Sequence, residues 1–195
     1  MGSGRSLGAF GSGDTGNIFW NCAEVTFFTM FDLENESWWS YLDESEQELL
    51  KESFLLLERE EKNNDHWHDY SFVVFPAAKA YEGFLKKLFL DMGFLTKEQY
   101  EGDRFRVGRA LNPSLEREFR GESIYDMLKE KCSPNLPDRL WETWKFSRNL
   151  LFHWFPWHKN ATDLKEARER VEAVVGAIRE AVAGCRIGER KAEQG

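Results

Sequence analysis

Apolar side chains recur every three or four residues along two long stretches of this chain, and that spacing fits α-helices rather than strands. From Glu44 to Lys62, Leu49, Leu50, Phe54 and Leu57 fall on one side and acidic residues on the other, behind Asp43 or Ser45 as N-cap. A second stripe, Ala77, Ala80, Phe84, Leu88 and Met92, runs to Gly93; Pro76 interrupts the apolar run from Tyr70 and fits either near the helix start or at a kink. Further helices are predicted over 123–131, 137–155 and 163–183, the last behind Thr162 as N-cap. Between them, residues 95–121 are broken by Gly102, Gly108, Pro113 and Gly121 and read as a loop-rich insertion with one or two short helices. The expected fold is all-α, a bundle of about five helices.

With 195 residues, 42% of them hydrophobic, the chain can bury one substantial core. A single domain is expected over 17–184. Residues 1–16, rich in Gly and Ser, read as a flexible tail or an expression remnant, and 185–195 as a polar tail. Residues 17–41 are aromatic and β-branched without a helical period, which leaves a short strand or an extended arm against a neighbour. Sixteen Phe and eight Trp suggest that some aromatic surface meets a partner.

The net charge of −8 weighs against nucleic-acid binding, but its distribution is uneven. Twelve acidic residues lie between Asp32 and Asp65 against Lys51, Arg59 and Lys62, so the rest of the chain is close to neutral. No apolar run reaches the ~18 residues of a membrane span and no secretory signal is visible, which predicts a cytoplasmic protein with no membrane contact. Cys22, Cys132 and Cys185 are odd in number and widely spaced, and are read as reduced thiols. His66 and His68 lack companion ligands at convincing spacing, so no metal or other cofactor is expected.

The segment LPDRLWETWKFSRNLLFHWFPW carries the most chemistry. On a continuous helix Leu140, Trp144 and Leu151 form an apolar stripe, while Asn149 and His153, four apart, are neighbours on the opposite face. Phe146 and Phe152 flank that polar pair, an arrangement suited to a face that meets a second subunit. Pro156 disfavours helix at Phe155 and so puts His153 in the last helical turn, where terminal carbonyls favour a cation. Arg148 can swing a guanidinium towards the same spot and offer several donors to a phosphate.

RNLLFH resembles the R-x4-6-H signature of HEPN ribonucleases, in which a polar residue, often Asn, follows the Arg; Arg148, Asn149 and His153 match it. FPAAKAYEGFLKKL resembles a helix of the RNase LS toxin family whose glutamate assists catalysis, a position held here by Glu82. The resemblance covers roughly Tyr70 to Ala183 and leaves out the aromatic segment and the Arg-rich insertion. It implies a homodimer that brings two motifs together across a cleft and cuts single-stranded RNA without metal, to 2′,3′-cyclic phosphate and 5′-hydroxyl ends. It further implies a toxin or antiviral effector held in check by an antitoxin or regulatory protein. Lys79, Lys86, Lys145 and His158 are candidate RNA contacts, and the Trp154 to Trp157 cluster offers bases a stacking surface.

Plainer readings stand beside these. The Arg, Asn and His can be a structural polar cluster, and Glu82 can form an ordinary ion pair with Lys79 or Lys86 on a solvated face. Arg104, Arg106, Arg109, Arg117 and Arg120 either guide RNA or belong to a solvated loop with Glu101, Asp103, Glu116 and Glu118. The whole bundle can be a non-catalytic module that docks an antitoxin or a nucleotidyltransferase. It can also be a structural subunit whose acidic segment meets basic surfaces.

Overall fold

The computed structural model describes residues 33–63, 66–115, 123–153 and 161–185. Among them there is no strand, and the fold is an all-α bundle. After a 3-10 turn at Trp39–Tyr41 come α1 (Glu44–Lys62), α2 (Ser71–Asp91), α3 (Lys97–Glu101), α4 (Val107–Ala110), α5 (Ile124–Lys131), α6 (Leu136–Trp144) and α7 (Leu164–Gly184). Two of the seven, α3 and α4, are the short helices of the predicted insertion. No described helix is long and apolar enough to cross a membrane.

The centre of the bundle is α2, packed chiefly on α1 and then on α7. Val73, Val74, Ala77, Tyr81, Phe84, Leu85, Leu88 and Phe89 are all sealed from solvent, about two residues per turn, as a helix with neighbours on several sides requires. Burial also pushes the Tyr81 phenol pKa up, so its hydroxyl stays protonated and donates to Leu140 O on α6 (3.1 Å).

Pro76 lies inside α2 rather than at its start. Proline distorts the preceding turn, and the adjacent Ala77 N–H donates to the buried Ser53 hydroxyl of α1 (2.8 Å). Ser53→Ala is expected to lower stability by about 1–3 kcal/mol, because a buried donor loses its partner. A urea titration read by circular dichroism checks this, and a shift near zero would show that the bond is dispensable.

Local signals set the other ends. Asp43 caps α1 in a capping box with Glu46. Asp163, one residue beyond the predicted Thr162, does the same for α7 with Glu166; Thr162 is instead buried, its backbone bonded to Tyr70 N and to the Asp69 carboxylate. That carboxylate also takes the N–H and hydroxyl of Ser71, so one side chain ties the start of α2 to the approach to α7.

Three further expectations change. Residues 33–41 are helical at 33–34 and then form turns and a 3-10 turn rather than a strand or an arm, and Leu33, Trp38 and Trp39 are buried in the main core. Not every acidic residue of α1 lies opposite its apolar side: Glu46 and Glu60 are buried, burial raises the Glu46 pKa, and Glu60 accepts from the Trp67 indole (2.9 Å). Finally, Cys132 and Cys185, expected as free thiols, form a disulfide between the ends of α5 and α7. The two helix ends converge although 53 residues separate them, which sequence spacing does not reveal. Cys185 is buried, so the core extends into what reads as the C-terminal tail. Residues 1–32, 186–195, Arg117 and Arg120 lie outside the described residues.

Candidate active site

The RNLLFH segment does not continue α6 as a regular helix. Residues Lys145–Asn149 form a π-helical turn, marked by one shifted backbone bond. In an α-helix the Leu150 N–H would bond to Phe146 O; here Leu150 N bonds one residue further back, to Lys145 O (2.9 Å), and Phe146 O accepts from the half-buried Arg170 guanidinium of α7. Arg170 also lies on the Phe146 ring (3.8 Å), and the buried Ser147 hydroxyl donates to Arg170 O (3.3 Å). Turns of this kind often mark functional sites.

The widened turn alters the expected geometry. The predicted helix over 137–155 ends in its α form at Trp144, and one more backbone bond, Phe152 N to Arg148 O (3.2 Å), closes the segment. His153 is therefore exposed just past the last turn, and Asn149 and His153 are not neighbours on one regular helical face.

Arg148 is fixed on two sides. One guanidinium nitrogen meets Glu82 on α2 at 2.7 Å, and the guanidinium lies 4.7 Å from the Trp144 ring, a cation–π contact. Glu82 thus pairs with Arg148 rather than with Lys79 or Lys86, and the two segments quoted for their resemblance meet at one point. Trp144 is seated in turn by α4: a Cβ at Gly108 would stand 2.7 Å from Trp144 Nε1, so glycine permits this close approach.

Along the outer face of α2, Phe72, Phe75, Lys79, Glu82 and Lys86 follow one another at helical spacing. Lys79 is exposed and Lys86 half-buried. Lys145 sits in the π turn 3.5 Å from Glu142. His158 and the Trp154 to Trp157 cluster lie outside the described residues. Arg104, Arg106 and Arg109 are exposed.

A cleft of ≈ 470 Å³ opens at the start of α2, lined by Glu60, Glu61, His66, Trp67, Tyr70 and Asp163 among others. Its carboxylates make it a poor phosphate site. Among the described residues no group of three His, Cys, Asp or Glu stands close enough to hold a metal ion.

Trp144, Ser147, Arg170 and Gly108 shape the site without standing out in the sequence. Trp144 is the one with a legible signal, since it lies four residues before Arg148 and can underlie its side chain. Comparisons of the chain with protein-family models, curated proteins and solved structures find no match.

Proposed function

We propose that this protein is a metal-independent endoribonuclease of the HEPN type, cutting single-stranded RNA in the cytoplasm as a toxin or antiviral defence effector. The observation that carries this reading is the Glu82–Arg148 ion pair, because it unites the two segments with family resemblance on one surface.

The chemistry follows from the side chains. The His153 imidazole removes the ribose 2′-hydroxyl proton. The 2′-oxygen attacks the adjacent phosphorus, the bond to the 5′-oxygen breaks, and a second imidazole returns a proton to that leaving oxygen. Arg148 offsets charge that builds on the non-bridging oxygens, Asn149 orients phosphate or imidazole, and Glu82 holds the guanidinium. Because one chain brings a single RNLLFH motif, the second imidazole comes from a second copy in a homodimer. Lys79, Lys86 and Lys145 meet the flanking phosphates, and an antitoxin or regulatory protein caps the site.

A second reading is favoured by exposed Trp67, Phe72, Phe75, Leu150 and Phe152: a non-catalytic module that docks an antitoxin or nucleotidyltransferase through this apolar surface. End-group analysis separates the two. Purified protein with labelled single-stranded RNA in excess EDTA is expected to yield 2′,3′-cyclic phosphate and 5′-hydroxyl ends. Folded protein that gives no product, or only product abolished by EDTA, would overturn the nuclease reading.

A further inference from the structure

Two contacts join the outer face of α2 to the segment around the π turn. One is Glu82 with Arg148; the other is Phe75 with Phe152, whose ring centroids are 5.5 Å apart with planes at 82°. Phe75 is 55% exposed and Phe152 38%, so the pair presents open ring surface that the core does not use. Lys79, exposed, stands between Phe75 and Glu82 on the same face. Phe75 lies two turns from Glu82, about 10 Å along the helix.

Such aromatic surface is ordinarily covered by something, and charge helps decide by what. The strip from Phe75 to Lys86, with Arg148 beside it, carries Lys79, Lys86 and Arg148 against Glu82 alone, a positive balance on a chain of net charge −8. Cations in line with open aromatic rings match a polymer of phosphates and bases. Every base offers a π-face, and aromatic side chains in single-strand binding sites use it without regard to sequence.

We propose that Phe75, held edge to face by Phe152, is a stacking platform for the unpaired base of a nucleotide next to the scissile one, with Lys79 on the phosphate between. This rests on the RNA-cleaving reading above and gives its single-strand preference a physical basis: a base inside a duplex is already stacked on both sides and cannot occupy the platform. The site therefore takes unpaired RNA of any sequence at that position.

The test is a cycle between protein and substrate. Binding is measured with RNA bearing a 2′-O-methyl group at the cleavage position, which lacks the attacking hydroxyl, and kcat and KM with the cleavable RNA. Each is done for wild type, Phe75→Ala and Phe75→Trp, with intact RNA and with a single abasic residue placed at each position in turn. Phe75→Ala is expected to weaken binding and raise KM roughly tenfold to a hundredfold, with kcat nearly unchanged. One abasic position should match that loss, and the two changes together should cost no more than either. Phe75→Trp should restore binding.

Cleavage by wild type with no loss in Phe75→Ala, or with losses that multiply, overturns the platform and leaves the nuclease. A cycle that closes as described without any cleavage keeps the platform and overturns the nuclease. Wild type that neither binds nor cuts RNA overturns both. Unchanged RNA binding in Phe75→Ala together with conversion of a dimer to a monomer in sedimentation would assign the pair to a second copy of the chain instead.

Discussion

Arg148→Ala is expected to lower kcat for cleavage of single-stranded RNA by roughly a hundredfold to a thousandfold, the usual consequence of losing one donor to transition-state charge. Stability should change far less. The Glu82–Arg148 pair is partly solvated on both sides, and pairs in that setting contribute about 0–1 kcal/mol. Losing Arg148 also leaves the Glu82 carboxylate facing the incoming phosphate without its counter-charge, so Glu82→Gln in the same chain should return part of the lost activity. Arg148→Lys should recover little, since an ammonium cannot hold Glu82 and a phosphate in the geometry of a planar fork. His153→Ala, which removes the group proposed to transfer the proton, should fall by roughly a hundredfold to ten-thousandfold. Single-turnover kinetics together with thermal melts check all four. Arg148→Ala that loses stability and activity in step would make the pair structural, as in the docking-module reading.

The largest expected effect on stability is at Trp38. It is 2% exposed in the main core, in the turn that leads into α1, and it meets Trp39 edge to face at 5.8 Å. Beside it, Glu36 pairs with Arg179 of α7 at 2.5 Å, so this segment is fastened to the bundle from two directions. Trp38→Ala is expected to lower unfolding free energy by about 3–5 kcal/mol through lost burial and the cavity left behind. Trp38→Phe should cost much less, because the buried indole N–H has no hydrogen-bond partner among the described residues and only part of the volume goes. Denaturant titration of both variants decides it. Equal, small losses would mean that the segment before α1 rests on the bundle without supporting it.

Much of the architecture is local and legible. The stripes of α1 and α2 are buried where the period places them, because a helix with an apolar side has one way to shield it. Capping is short-range chemistry too: Asp43 was one of two candidates for α1, and the α7 cap moved by a single residue. In the insertion, Gly102 ends α3 as its C-cap, whereas Gly108, read as a break, lies inside α4. The residues named for chemistry were also chosen from sequence, Arg148, Asn149 and His153 by helical spacing and motif together, and Glu82 through the resemblance alone.

What only the tertiary structure decided is where distant groups compete or converge. A wheel at a constant angle assumes that every N–H in a helix bonds four residues back. At Leu150 that assumption fails, since its N–H bonds to Lys145 O while Phe146 O accepts from Arg170 of α7, and nothing near Phe146 in sequence signals it. The π turn that results moves His153 beyond the helix and changes its relation to Asn149. In the same way Glu82, which by spacing could pair with Lys79 or Lys86, pairs with Arg148 from another helix. Cys132 and Cys185 meet because α5 and α7 end side by side. Trp38 and Trp39, without a period to mark them, join the core because the bundle leaves room for them there. Periodicity and capping report what a residue does with its near neighbours, whereas a shared carbonyl, a bridging carboxylate and a paired thiol depend on the packing of whole helices.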